Sequence, residues 1–216
     1  MFVTPAEAET IAAHVARIES RTGVQVVTAV VARSDSYVEL PWKAFAFGAT
    51  AAALFIVIGD ALRPEWVTAS TPLLQAVSIL AAGAAAALAA VLIPALARLF
   101  LPSARCHVEV QVHARSLFLR YELHRAALHT GVLILLSLFE RRIEIVPDAG
   151  FRNRVTDADW DAIVARMTPR LRRETPFHAL QEALTALETL LVDKGFRPLQ
   201  ASGTNLTSRP IEERGA

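Results

Sequence analysis

Two uncharged stretches constrain this chain more than anything else in it. Residues 44–59 and 66–97 contain no Asp, Glu, Lys or Arg and consist mainly of Ala, Leu, Val, Ile and Phe. A helix needs about 20 apolar residues, and no fewer than about 17, to cross the hydrocarbon core of a bilayer. The second stretch, at thirty-two residues, exceeds that, and the first, at sixteen, is at the short end. Its flanks extend it: Trp42 and Lys43 on one side and Asp60 on the other are residue types that sit at a membrane interface. The connector from Asp60 to Trp66 includes Arg63, Pro64 and Glu65 and is short and turn-prone. The expectation is a transmembrane helical hairpin over residues 43–101, with both flanking segments on one side. Arg33, Lys43, Arg98, Arg105 and Arg115 flank its outer ends, and the connector carries Arg63. By the positive-inside rule that side is the cytoplasm, and the chain is a multi-pass protein of a bacterial inner membrane. The competing reading, a helical hairpin buried in a soluble core, asks too little remaining chain to cover too much apolar surface. Gly83 and the alanines of residues 81–90 offer small side chains for close helix packing, within the hairpin or between copies.

The rest of the chain has globular composition. Arginine outnumbers lysine twenty to two, the net charge is only +1, and the arginines are scattered. No nucleic-acid partner is expected; the bilayer is, and with it either a protein partner or a second copy. The lone cysteine, Cys106, excludes an intrachain disulfide, and stands as an idle thiol or a lipidation site. The first twenty residues carry Glu7, Glu9 and Glu19 and read as an amphipathic helix rather than a secretory leader.

Thr4, Pro5 and Glu7 spell a helix start, Ile11, Val15 and Ile18 give it an apolar face, and Gly23 ends it. Residues 24–31 form a β-branched run and predict a buried strand. Beyond the hairpin, Val110, Ala114, Leu117, Tyr121 and Leu128 keep helical spacing over 107–128. Residues 132–138 predict a second buried strand, Phe139, Glu140 and Arg141 a tight turn, and residues 142–146 a strand with one wetter face. Thr156 with Asp159 opens a helix whose apolar face is Trp160, Ile163, Val164, Met167 and Leu171. Thr175 and Pro176 open another, ending at Gly195. Residues 197–216 turn polar and read as a disordered tail. The predicted fold class is therefore α/β: a small sheet covered by helices, interrupted by a two-helix transmembrane hairpin. Residues 1–40 and 103–196 make one discontinuous domain.

Residues 130–151, running Thr-Gly-Val-Leu-Ile-Leu-Leu-Ser-Leu-Phe-Glu-Arg-Arg-Ile-Glu-Ile-Val-Pro-Asp-Ala-Gly-Phe and followed by Trp160, Ile163 and Val164, resemble the TPM domain family. That family groups thylakoid-lumen acid-phosphatase-like proteins, photosystem II repair factors, a nematode receptor modulator and many bacterial envelope proteins. The resemblance implies a compact α/β sandwich with the hairpin as an insertion. It implies either a binding and assembly module in envelope maintenance or an acid-phosphatase-like phosphomonoester hydrolase. It places Asp148 at the position of the family's aspartate after the strand, and Ca²⁺ as the candidate ion. The chain departs from secreted members in having Pro-Asp-Ala-Gly where they have a glycine-rich loop.

Asp148, Asp157 and Asp159 are the candidate metal ligands, since strand end, loop and helix start converge there. Three carboxylates supply part of the roughly six to eight oxygens that Ca²⁺ takes, or hold a metal that activates water. The competing roles are a turn cap for Asp148 and helix-dipole partners for Asp157 and Asp159. Glu140, Arg141 and Arg142 read either as a phosphate clamp or as a solvated turn. His107, Glu109 and His113 share a face only on a strand and make a weak zinc set; His124 and His129 read as surface residues. No P-loop, dinucleotide fingerprint, nucleophile elbow or HExxH motif occurs.

Overall fold

The capping signals at the start of the chain act as read. In the computed structural model, which describes residues 2–62, 71–126, 129–173, 175–198 and 210–213, helix α1 spans Pro5–Thr22. Thr4 N–H donates to Glu7 Oε2 at 2.7 Å, and Thr4 Oγ1 accepts from Glu7 N–H at 3.4 Å. Gly23 ends the helix at φ 70°, in the left-handed region that a side chain would strain. The chain divides into two compact units, Met1–Ser36 with Cys106–Ala216, and Tyr37–Arg105.

In the first unit, strand β1 (Gln25–Val31) lies parallel to β2 (Gly131–Ser137), in a register from Gln25 opposite Gly131 to Val31 opposite Ser137. β3 (Arg142–Pro147) returns antiparallel on β2, and β4 (Ile211–Glu213) adds parallel to β1, giving the order β3-β2-β1-β4. All seven residues of β2 are buried, which explains its unbroken apolar run. Alternation along the strands sorts the core into two layers. Val26, Val30, Val132, Ile134 and Leu136 pack with α1 and with two C-terminal helices, α6 (Asp157–Arg173) and α7 (Pro176–Asp193). Val27, Ala29, Val31, Leu133 and Leu135 pack with α5 (Ser103–Arg120), through Val110, Ala114, Leu117 and Phe118.

Two expectations are corrected here. The helix expected over 107–128 ends at Arg120, because Glu122 takes a left-handed φ of 52° and a 3₁₀ turn follows at Leu123–Arg125; Leu128 lies outside the described residues. Within the expected disordered tail, residues 211–213 form β4. Its residues are held by polar pairing that an apolar pattern cannot reveal. Glu212 Oε1 accepts from the backbone N–H groups of Phe2 and Val3 at 3.1 and 2.8 Å, and Glu213 Oε1 accepts from Arg120 at 2.9 Å. Residues 199–209 and 214–216 of that tail lie outside the described residues.

The second unit contains α2 (Glu39–Leu62), α3 (Thr71–Leu92) and the short α4 (Pro94–Leu99). At 1.5 Å per residue, α2 and α3 are about 36 and 33 Å long, against a hydrocarbon core of about 30 Å. The helix runs through Trp42, Lys43 and Asp60, so the short first stretch becomes a helix of 24 residues. Both helices are long and apolar enough to cross a membrane, and 0% and 11% of their most apolar windows are buried. Phe47, Phe55, Leu73 and Leu80 point outward, the reverse of a soluble core hairpin. The expected connector residues Arg63 to Trp66 lie outside the described residues. Gln75 Nε2 donates to Asp60 Oδ2 at 2.7 Å, linking the two helices.

Small residues set the α2–α3 approach. A Cβ at Gly48 would stand 2.6 Å from Ala86 Cβ and 2.9 Å from the Ala82 carbonyl oxygen; one at Gly83 would stand 2.8 Å from the Phe45 ring. A Cβ at Gly59 would meet nothing within 4 Å. Gly48→Val is therefore expected to lower the melting temperature of the detergent-solubilised protein, in the overpacking range of about 1–3 kcal/mol, while Gly59→Val leaves it nearly unchanged. Equal melting of the two variants would refute the close packing.

Candidate functional site

The antiparallel return of β3 sets Pro147 opposite Val132, which delivers Asp148 to the start of β2. There Asp148 N–H donates to the Gly131 carbonyl at 2.9 Å. Asp148 then caps the 3₁₀ turn Ala149–Phe151, its Oδ1 accepting from Ala149 N–H at 2.6 Å. Its Oδ2 is buried and, among the described residues, accepts no hydrogen bond. His129 is close by: its Nδ1 lies 3.5 Å from Oδ2 and 2.9 Å from the His124 carbonyl. An Nδ1 proton is best placed on that carbonyl.

A cleft of about 800 Å³ opens beside Asp148, lined among others by Arg115, Arg152, Thr156, Asp157 and Trp160. Its floor is aromatic. Phe151, fully buried, meets Trp160 edge-on at 5.5 Å and Phe196 at 5.1 Å between ring centroids. Arg154 lies 3.9 Å over the Phe196 ring and donates to the carbonyls of Lys194 and Gly195 at 2.9 and 2.7 Å. These contacts tie the start of α6 to the end of α7 and give the cleft a rigid base.

The three candidate aspartates take different roles. Asp148 and Asp157 line the cleft. Asp159 caps α6: its Oδ2 accepts from Thr156 N–H and Oγ1, both at 2.9 Å, and pairs with Lys194 Nζ at 2.7 Å. The hydrogen bond from Lys194, followed by those from Thr156, holds the Asp159 carboxyl at about 2. Among the described residues no group of three His, Cys, Asp or Glu side chains is placed to hold a metal ion. Asp148 Oδ2 is a buried oxygen that a cation would complete, and Asp157 is in the same cleft. Any such ion would draw most of its six to eight oxygens from carbonyls, water or a partner.

The other sequence candidates are also dispersed. His113 Nε2 lies 4.0 Å from Glu213, on the β4 side of α5. His107 acts on Glu144 of β3, whose carboxyl is pushed up by burial, an effect that His107, Gln111 and Arg115 partly offset. Glu140 is no solvated turn residue: it is buried, accepts from Ser34 N–H at 2.9 Å and from Ser137 Oγ, and Ser34 Oγ donates to Ser137 Oγ at 2.8 Å. This interior network pins the β2–β3 turn to the end of β1. Cys106 is buried, and burial pushes its thiol up. Sequence reasoning missed Arg115, Arg152 and His129 as neighbours of Asp148, because three separate segments bring them there.

The comparisons agree with this architecture. A solved NMR structure, that of the BA42 protein from the psychrophilic bacterium Bizionia argentinensis, is similar in fold, with a TM-score of 0.58 over 98% of this chain and 96% of that one. The identity is 12%, so the likeness is one of fold alone. No curated protein matches. The family model described as the TPM domain matches residues 78–190, just over half of the chain, from within α3 to the last turns of α7. α1 and β1 lie outside that match. By its sequence match and its fold, the chain belongs to the TPM domain family.

Proposed function

We propose that this protein is a membrane-anchored TPM domain that acts as a binding or assembly module in bacterial envelope maintenance, with the cleft at Asp148 as its contact or ion site. In this reading α2 and α3 cross the inner membrane, and the flanking arginines keep the α/β domain in the cytoplasm. Its partners are the bilayer and either a protein or a second copy. One observation carries the reading: a cleft of both charge signs in which one carboxylate oxygen of Asp148 is buried and, among the described residues, accepts no hydrogen bond. Such a group is costly unless a ligand completes it. The hydroxyl lining the cleft, that of Thr156, is committed to capping α6 through Asp159. That favours binding over nucleophilic chemistry.

The test uses the full chain in nanodiscs. Ca²⁺ is expected to raise the melting temperature of the wild type and to leave Asp148→Asn unmoved, with no turnover of a chromogenic phosphomonoester by either. Turnover that disappears in Asp148→Asn would replace this reading with that of a metal-assisted hydrolase, for which Arg115 and Arg152 supply phosphate-binding charge. An identical Ca²⁺ response in both proteins would remove Asp148 from the site.

A further inference from the structure

Helix α5 buries Cys106, Val110, Ala114, Leu117 and Phe118. At about 100° per residue, the centre of that face lies nearly opposite Val108, Val112 and Leu119, which fall within about 40° of one another. These three are 53%, 57% and 62% exposed. An ordinary surface helix turns polar residues outward at those positions. The helices on the other side of the sheet do so: among the described residues of α1, α6 and α7, Val192 is the one large hydrophobic left exposed. The same rotation sets Arg115 along one edge of the α5 stripe and Arg105 along the other, and the helix's acidic residue, Glu109, lies outside it.

One feature selects the surface that covers this stripe. Helix α5 follows α4 after three residues, and α4 follows the apolar α3 after one, so α5 leaves the second apolar helix within a few residues of its end. We infer that α5 is an interfacial helix. It lies along the membrane surface with Val108, Val112 and Leu119 at the boundary of headgroups and acyl chains, about 5–10 Å deep. The inference rests on the reading of α2 and α3 as bilayer-crossing helices.

The experiment separates the two. The full-length protein carries Cys106→Ala and one of three labelling sites, Val112→Cys on α5, Val57→Cys on α2 or Glu9→Cys on α1. Each is labelled with an environment-sensitive fluorophore and reconstituted into vesicles of phosphatidylglycerol and phosphatidylcholine, with or without brominated acyl chains. Brominated lipid is expected to quench positions 57 and 112 by about twofold or more, with position 112 the shallower, and to spare position 9, which iodide quenches from the water. Quenching at 57 with position 112 open to iodide would place α5 in water and overturn the inference. Position 112 shielded from both quenchers would mean that protein covers the stripe, which also overturns it. No quenching at 57 would defeat the bilayer-crossing reading, and the inference with it. Val112→Cys removes no core contact. Should Cys106→Ala prove unstable, the buried native thiol is retained and labelling is kept brief.

Discussion

Gly131→Val is expected to unfold the α/β unit more severely than any other single change at the sheet. A Cβ at Gly131 would stand 2.5 Å from the Leu123 carbonyl oxygen and 3.2 Å from its carbonyl carbon. These are backbone atoms and cannot swing aside as a side-chain tip would. The Leu123 side chain is fully buried and anchors the turn where it is. Overpacking against flexible side chains costs about 1–3 kcal/mol, and a backbone obstacle puts this substitution at the top of that range or above. The effect reaches the cleft as well, because the Gly131 carbonyl receives the N–H of Asp148. Chemical denaturation of the detergent-solubilised protein should show an early-shifted midpoint. A wild-type midpoint in Gly131→Ala would show that the turn yields.

Glu188 carries the second large effect. It lies on α7 with a side chain 11% exposed, and three groups of α1 converge on it: His14 at 3.3 Å, Arg17 at 3.0 Å and Arg21 at 2.6 Å. Burial alone would push the Glu188 carboxyl up, but hydrogen bonds and charge from Arg17, then Arg21 and His14, outweigh it and leave the carboxyl below its usual range. Removing one partner of a fully buried ion pair costs about 3–5 kcal/mol. Arg17 and Arg21 are each 56% exposed, so water takes over part of their loss, and Glu188→Ala is expected to cost about 2–3 kcal/mol.

The same cluster sets an acid sensitivity. A carboxyl depressed in the folded state stabilises it above the unfolded value, about 4.3, and that stability is lost as the pH falls through the folded value. His14 is depressed too, by burial first and then by Arg17. The unfolded chain therefore takes up the imidazole proton first, and stability declines as the pH drops below about 6.5. Denaturation midpoints measured from about pH 7 to 3 should fall in two stages. Glu188→Gln should shrink the lower stage, leaving the share of other depressed carboxylates such as Asp159, and an unaltered lower stage would assign it to those carboxylates alone.

Much of this architecture is legible in the residues because it rests on local rules. The capping box at Thr4, the unbroken apolar run of β2 and the two uncharged stretches each state their own structure. What escapes is non-local pairing. β4 carries three residues whose docking depends on Glu212 reaching the amides of Phe2 and Val3, more than two hundred positions away in sequence. Glu140 looks like a turn charge until Ser34 and Ser137 close around it. At the cleft, Asp148 is readable from its place after the strand. Arg115 and His129 are not, since one comes from α5 and the other from the segment just before β2. Asp159 resembles a ligand in sequence and is a cap in structure, because the same carboxylate chemistry serves both.

The central pairing of β1 with β2 also has a consequence for biogenesis. Its two strands leave the ribosome about a hundred residues apart, with the whole greasy insert made in between. At about 5–20 residues per second, the nascent β1 waits roughly 5–20 s for its neighbour. During that interval its valines have no second strand to join. Completion of the sheet is in this way timed by synthesis of the insert.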